Sequence, residues 1–482
     1  MLDLANIPKY SKDRKEDDPF VFAGGPCASN PYPLIKFMDF FLLGEGEEQL
    51  NQVVDKFVIW KSKKLSKKDF LESIKDITGV FIPSIHTEND VIKKAVIKDM
   101  ENVEYPINFV VPNTEIVQNR ISLELFRGCS RGCRFCQAGY IYRPVREKSA
   151  DKLLKIAKES IKATGLNDIT LSSLSTSDYS QFQKLTTSLI DICDKDKIGL
   201  SLPSLRIDTV NLDVLNKVQA VRKSSLTFAP EAGSQRLRNV INKNITEEEI
   251  LNGCKIAFES GWNTVKLYFM IGLPTETFED LSQIVTLANK IVDLYYSLPR
   301  EKRNGKCTVT VATSTFVPKP HTPFEWFGQN TLDKIELKQQ FLKDNLKNKS
   351  IKYSWHNPQV SRLEALVSRG DDKVCDIIYE AFKNGAKFDS WEEYLNVDAW
   401  EKAAEKLNIN ISDYANKEYD LDYKFKWDNI MHGVTKEFLK REYNKAIKEE
   451  TTLNCQKNCS ACGVTQITEC NFLNKFKLKK GE

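Results

Sequence analysis

The chain has 482 residues, 41% hydrophobic and 28% charged, which bounds it to about two to four domains of ordinary globular composition. Its 70 basic and 66 acidic side chains nearly cancel, leaving +4, so a dedicated nucleic-acid binder is not expected. The longest apolar runs, FMDFFLLG and TVKLYFMIGL, are strand-sized and well short of the ~18 residues of a membrane span; with no signal layout after Met1, a cytoplasmic protein is expected.

In chain order, PFVFAGGPCASNPYP reads as a buried strand ending in a glycine turn, LIKFM as a brief helix, and DFFLLGEGEEQLNQVVDKF as a strand, a glycine turn and a helix. This is the βαβα pattern of a doubly wound sheet. Two strands do not make a stable sheet, so residues 1–75 look like a truncated piece of a larger α/β domain. Either a partner chain carries the missing part or the sequence begins late. Residues 76–119 read as a linker.

From about residue 120 to 350 strands and helices alternate. The predicted strands are ISLELFRG, DITLSSLS, IGLSLPSLRID, SSLTFAPEAG, TVKLYFMIGLP and CTVTVATSTFVP. ADKLLKIAKESIKATG is an amphipathic helix with Leu154, Ala157 and Ile161 on one face, and TEEEILNGCKIAFESG opens on a Thr246/Glu249 capping box. Helical crossovers force parallel strands, so six βα units predict a partial (β/α)6 barrel of the TIM type. Past Ser350 the strand signals fade, and residues 351–450 read as a mainly helical domain with a helix stop at Gly385. Residues 451–482 form a cysteine-rich tail, locally basic from Asn474.

Seven of the twelve cysteines fall in two groups. Cys27, Cys193, Cys254, Cys307 and Cys375 are scattered and read as small buried apolar residues. Cys129, Cys133 and Cys136 follow the first barrel strand directly, on the face where such barrels keep their active sites. Glycines at 128, 132 and 139 let that loop wrap a bound object. Zinc needs a fourth ligand, and no cysteine or histidine lies between Gly139 and Cys193. A cubane iron–sulfur cluster on three thiolates instead leaves one iron open. A zinc site completed by a distant residue is the competing reading.

CSRGCRFC, C-x3-C-x2-C, resembles the signature of the radical S-adenosylmethionine (SAM) superfamily. The resemblance covers roughly residues 120–350 and implies a [4Fe–4S] cluster whose open iron chelates SAM. Reduction would then release methionine and a 5′-deoxyadenosyl radical that abstracts hydrogen from substrate. Phe135 matches the aromatic position near adenine. APEAGSQRLRNVINKNIT is similar to the glutamate-and-serine stretch after the fourth strand, which implies that Glu231, Ser234 and Arg238 face SAM. FMIGLPTET is similar to the glycine–proline turn after the fifth strand, with Gly272 and Pro274 near adenine. Where many members carry Gly-Glu after the second strand to hold the SAM amino group, this chain has LSSLSTSD, and Ser172, Ser173 or Ser175 stands in that place. The plain alternatives are that Glu231 is an ion-pair residue and that Gly272 merely ends a strand.

AGGPCASNPYPLIKFMDFFLLGEGEE resembles the end of the cobalamin-binding domain that precedes the barrel in one branch of the superfamily. SLPSLRID, STFVPKPHTPFEWFGQ, SRGDDKV and the terminal cysteines are similar to an uncharacterised group within it. The chain lacks D-x-H-x-x-G, and its four histidines, His86, His321, His356 and His432, sit in other contexts, so cobalamin is not expected here. After the sixth strand, Lys319, His321 and Trp326 either reach substrate or belong to a proline-stiffened lid with His321 against Phe324. Cys455, Cys459, Cys462 and Cys470 offer four thiolates for a second iron–sulfur cluster or a structural zinc, the alternative being an unliganded tail.

These readings converge on a radical SAM enzyme acting on an unknown substrate with a reductant such as flavodoxin or ferredoxin. Two alternatives stand beside it. One is a radical methylthiotransferase-like enzyme modifying RNA or protein. The other is a non-catalytic iron–sulfur electron carrier or scaffold.

Overall fold

A computed structural model describes residues 1–201 and 226–473. The third predicted barrel strand from Leu202 onward, including most of SLPSLRID, the first two residues of SSLTFAPEAG, and the basic tail from Asn474 lie outside the described residues.

The N-terminal segment forms a three-stranded sheet. β1 (Phe22–Gly24) pairs in parallel with β2 (Phe40–Leu42), and β3 (Val80–Phe81) adds antiparallel to β2. The third strand comes from the stretch expected to be a linker, so the sheet is not limited to two strands. LIKFM does not form the expected helix. A single 3-10 turn at Tyr32–Leu34 replaces it, because Pro31 and Pro33 start the turn and the chain must re-extend by Phe40. The helix Gly46–Lys63 follows as expected.

β4 (Ile92–Lys93) also lies in the expected linker. The chain then enters β5 (Ile121–Glu124) and a short antiparallel pair, β6 (Phe126–Arg127) with β7 (Arg146–Glu147). β8 (Asp168–Ser172) and β9 (Gly199–Ser201) complete a parallel sheet in the order β5-β8-β9. A second parallel sheet runs β10 (Leu226–Glu231), β11 (Thr264–Ile271), β12 (Thr308–Thr315) and β13 (Ile351–Trp355). β13 was not expected, since strand signals fade at Ser350. Of its side chains Ile351 is buried while Lys352, Ser354 and Trp355 are exposed, so it carries little apolar alternation to read.

Alternation explains how both sheets pack. Val265, Leu267, Phe269 and Ile271 of β11, with Val309 and Val311 of β12, are fully buried against the helices Glu247–Glu259, Phe278–Ser297 and Leu332–Asn345. The intervening Lys266 and Tyr268 face the other way, with the ammonium 4.6 Å from the ring centroid. The sheet β5-β8-β9 packs likewise on the helices Ala150–Thr164 and Phe182–Asp196. In the first of these Leu153, Ile156, Ala157 and Ser160 form the buried face, with Leu154 and Ile161 at its margin rather than its centre. The Thr246/Glu249 capping box forms as read. Cys193, Cys254, Cys307 and Cys375 are buried as expected, but Cys27 is exposed on the loop after β1.

The helices Pro358–Ser368, Lys373–Lys383 and Val397–Lys406 share a core of their own, and Gly385, at φ +99°, ends the second. They also clamp the N-terminal sheet. Asn30 donates to the carbonyls of Ser368 and Gly370 at 3.0 and 2.9 Å, and Tyr32 donates to Asn429. β14 (Ile430–Met431) pairs in parallel with β4. The two ends of the chain are therefore sewn together. Among the described residues no helix is long and apolar enough to cross a membrane.

Candidate functional site

The β6–β7 pair ties off residues 128–145 as a closed loop carrying Cys129, Cys133 and Cys136. Gly128 sits at φ +87°, and a Cβ there would meet the Pro144 carbonyl oxygen at 2.5 Å, so only glycine closes the neck. Inside, the Cys136 amide donates to the Cys133 carbonyl and the Gly139 amide to that of Cys136, both at 3.1 Å, which turns the two cysteines onto one side. Burial pushes the Cys129 thiol up to about 12, with Cys133 adding to it. Burial pushes Cys136 up to about 11, again helped by Cys133. Three thiols within eight positions of one loop are a donor set suited to soft iron. Among the described residues no three His, Cys, Asp or Glu side chains converge on one ion. A cubane spreads its ligands across its own width, so its thiolates need not meet at a point.

Three arginines of this loop fix it in place. Arg131 forks onto Asp178, its Nε donating at 2.8 Å. Arg134 is completely buried between Cys133 and Phe135. Its Nε and Nη2 donate to Glu442 at 3.2 and 3.1 Å, Nη1 to the carbonyls of Asn239 and Val240, and Nη2 to that of Glu450. Arg143 donates to the Gly139 and Arg131 carbonyls at 3.0 and 3.2 Å, curling the loop on itself.

Glu231 ends β10 at φ +68°, past a register shift between Phe228 and Glu231. A left-handed glutamate costs on the order of 1–3 kcal/mol, and such strain concentrates at working sites. Its carboxylate accepts from Lys243 at 3.1 Å, and the Lys243 and Glu231 charges both act on Cys136, which puts this half-buried pair beside the cluster loop. Ser234 and Arg238 are committed elsewhere. Ser234 caps the helix Gln235–Val240 and donates to Asp280. Arg238, 1% exposed, donates to the carbonyls of Ile245, Ala232 and Gly233 and to the Gln235 side chain. Both side chains thus hold their own segment together by these hydrogen bonds.

Gly272 leaves β11 at φ +77°, and its amide donates to Glu276 at 2.7 Å. Glu276 is in turn paired with Lys338 at 2.7 Å. Burial raises the Glu276 carboxyl and the Lys338 ammonium opposes it. Pro274 continues this turn. Phe135 then meets Ala232, beside Glu231, and Leu273, beside Gly272, in one apolar cluster with Phe316 and Phe324. Segments from four parts of the chain converge there.

The serines after β8 divide. Ser175 donates to Asp178 at 2.7 Å, whereas Ser172 and Ser173 line a cavity of about 1180 Å3 above β5 and β8, with Ser173 also 3.0 Å from the Thr176 hydroxyl. Gly128, Arg127 and Tyr142 of the cluster loop line the same cavity. Lys319, His321 and Trp326 do not reach it. Lys319 pairs with Glu364. His321 is buried with Nε2 2.9 Å from the Ser29 carbonyl, its ring edge-on to His432 at 4.6 Å, and burial lowers it to about 4. Trp326 lies in a core with Tyr140, Trp427 and Phe438. The segment is an interior strut, because its aromatics find partners from the two chain ends.

Residues 123–288 match the family described as the radical SAM superfamily, and residues 1–83 match one described as radical SAM proteins, N-terminal. An uncharacterized protein of Methanocaldococcus jannaschii is 32% identical over 377 residues, covering 77% of this chain and 76% of that one. A tRNA-2-methylthio-N(6)-dimethylallyladenosine synthase of Clostridium beijerinckii is 22% identical over 233 residues, 46% of this chain and 50% of the synthase. Among solved structures, the cobalamin-dependent SAM radical enzyme OxsB with aqua-cobalamin and SAM bound aligns at TM-score 0.44 and 12% identity, covering 96% of this chain and 68% of that one. The radical SAM methyltransferase TsrM of Kitasatospora setae aligns at TM-score 0.44 and 14% identity, covering 64% of this chain and 57% of that one. The chain belongs to the radical SAM superfamily and is an enzyme of that class. Membership implies a [4Fe–4S] cluster and SAM, and it replaces the electron-carrier or scaffold reading.

Because Arg134 is charged at any attainable pH, losing its partner strands a buried cation. Glu442→Leu is expected to destabilise the protein by about 3–5 kcal/mol in urea unfolding and to lower iron content after reconstitution. The double variant Arg134→Met/Glu442→Leu should lose less than the sum of the two single changes.

Proposed function

We propose that the chain binds a [4Fe–4S] cluster through Cys129, Cys133 and Cys136, with SAM at its open iron, and turns the resulting radical on a substrate held above β5 and β8. The observation that carries this is the convergence of Phe135, Ala232 and Leu273 beside the three-thiol loop, within which Phe135 itself lies. When bound and reduced, the cluster supplies one electron to the SAM sulfonium, giving methionine and a 5′-deoxyadenosyl radical. The remaining work belongs to the chain. The Gly272 turn gives the adenine edge close access to backbone, Phe135 offers it an apolar wall, and the strained Glu231 presents a carboxylate beside Cys136. The two parallel sheets read naturally as one open barrel with the cluster loop at its mouth.

Substrate class follows from charge. The cavity is lined by Glu45, Glu47, Glu48, Asp99, Glu104 and Glu124 against Arg127. Glu45 pairs with Arg146, and Glu47 and Glu124 with Arg127, but Glu48, Asp99 and Glu104 make no ion pair among the described residues. An acidic chamber repels phosphate backbones and accepts a small neutral or cationic molecule. The likeness to a tRNA-modifying synthase favours a second reading, a methylthiotransferase-like enzyme. The lining speaks against its RNA form. We also propose that the chain itself holds no cobalamin, since D-x-H-x-x-G is missing and His86 and His321 already use ring nitrogens on the Ile82 amide and Ser29 carbonyl.

Reduced with dithionite or flavodoxin, the reconstituted protein should cleave SAM slowly to 5′-deoxyadenosine and methionine, measured by chromatography. Cys133→Ala should abolish cleavage with the cluster, whereas Glu231→Gln should weaken SAM binding and leave the cluster spectrum intact. Loss of the cluster in Glu231→Gln would make that residue purely structural. Filter binding at physiological salt should retain no bulk tRNA, and retention would favour the methylthiotransferase-like reading. Purified protein should carry no stoichiometric corrinoid by absorbance, and finding it would mean that other residues replace the absent histidine.

A further inference from the structure

His432 follows β14 directly and is 6% exposed, yet neither of its ring nitrogens has a hydrogen-bond partner. A neutral imidazole carries one N–H and one lone pair, so both are left unsatisfied in the interior. Orphaned buried polar atoms are costly and rare in folded proteins. The ring stands edge-on to that of His321, with 4.6 Å between centroids. His321 is also 6% exposed and sits at φ +61°, a strained left-handed backbone.

Several parts of the chain meet at this pair. His321 comes from the segment after β12, and its Nε2 lies 2.9 Å from the Ser29 carbonyl in the loop after β1. Register sets Met431 opposite Lys93, and the Lys94 amide donates to the Met431 carbonyl at 3.1 Å, which carries Lys94 alongside His432. Lys94 is 4% exposed, and its ammonium donates to the carbonyls of Ile141 and Arg143 near the end of the cluster loop.

The charges around the pair are already matched. β4 supplies the Lys94 cation, whose own neighbours Arg146 and Glu45 are paired with each other. The segment after β12 supplies Glu325, which accepts from the His321 amide at 2.9 Å, from Trp427 Nε1 at 3.1 Å and from Lys436 at 2.6 Å. Asp428, just before β14, also pairs with Lys436, which opens the helix Lys436–Ile447. The loop after β1 contributes the Ser29 carbonyl. A proton added to either ring would place a buried cation near Lys94 and Lys436 while both carboxylates are taken. In keeping with this, burial and then Lys436 hold His321 down to about 4, and burial, His321 and Lys94 hold His432 well below the usual histidine range.

We propose that His321 and His432 form an acid-released clasp. Neutral, the pair closes the junction of Ser29, β4 and β14; protonated, it opens that junction while the sheet β10–β13 stays folded. Because Lys94 grips the Ile141 and Arg143 carbonyls from the same junction, opening also frees the end of the cluster loop. The sign follows from proton binding. The open form takes up protons that the closed form excludes, so the clasp is fully closed above about pH 6.5 and loosens as the pH falls toward 4. The clasp is independent of the SAM reading above.

The test follows the full chain by amide hydrogen exchange and mass spectrometry from about pH 7.5 to about pH 5, each rate taken relative to the free-peptide rate at that pH. Each histidine that charges only on opening should lower the protection of segments 90–97 and 428–434 about thirtyfold over this range, while β11 and β12 keep theirs. His432→Phe leaves a ring in place without a titrating nitrogen. His321→Asn tolerates the left-handed backbone and keeps a donor for the Ser29 carbonyl. Each variant should remove its own share of the acid loss, and the double variant should show none beyond that of β11 and β12. An acid loss in segments 90–97 and 428–434 as large in the double variant as in the wild type would overturn the proposal. So would a wild-type loss that strikes β11 and β12 in parallel with the clasp, a result read on the native chain even where a variant does not fold.

Discussion

The buried pair between Arg134 and Glu442 is the constraint on which the site depends. Arg134 stands between Cys133 and Phe135, so its backbone sets where the second thiol of the loop and the Phe135 ring can be. Its guanidinium is fully removed from water and binds the end of the Gln235–Val240 helix, the Lys436–Ile447 helix and the chain just after it. A guanidinium cannot shed its charge to suit its surroundings. The cluster loop therefore adopts this form only once the segment after β10 and the C-terminal helix are both docked. Asn242 and Thr452 extend the same junction, with Asn242 donating to the Gly132 carbonyl and accepting from the Thr452 amide. The three-thiol pocket belongs to the whole chain rather than to one loop.

That dependence explains how the ends are arranged. Asn30 ties the segment after β1 to the end of the helix Pro358–Ser368, β4 pairs with β14, and the segment with His321 and Trp326 finds its partners in both chain ends. Buried Lys94 belongs to the same weave. It donates to the carbonyls of Ile141 and Arg143 on the cluster loop, and burial pulls it down to about 7. The acidic cavity draws its carboxylates from the start of the Gly46–Lys63 helix, the segment after β4 and β5.

Much of this was legible in the sequence. The C-x3-C-x2-C spacing, the glycine neck at Gly128, the turn at Gly272 and the Thr246/Glu249 capping box are local devices, formed by residues within a few positions of one another. Among the described residues, strand and helix periods placed the βα alternation between Ile121 and Thr315. What escaped were features without a local pattern. β13 carries mostly exposed side chains, Val80–Phe81 is too short to announce a strand, and the prolines beside LIKFM outweigh its apolar run. Asp178 was in view within LSSLSTSD, but nothing nearby marks it as the partner of Arg131. Lys243, Glu276 and Lys338 gave no signal of their pairing.

The sequence by itself determined which chemistry-bearing residues lie close along the chain: three thiols within eight positions, glycine turns at Gly128 and Gly272, and four more thiols in the tail. The tertiary structure decided the electrostatics. Arg134 and Glu442 are 308 positions apart, and Gln456 and Asp178 are 278 apart, so only folding tells which charge or carbonyl each will meet. Thiol spacing is fixed by bond lengths along a short stretch of chain. Charge pairing in a low-dielectric interior is fixed by where whole helices dock, and that is why Arg134 meets Glu442 and Arg131 meets Asp178.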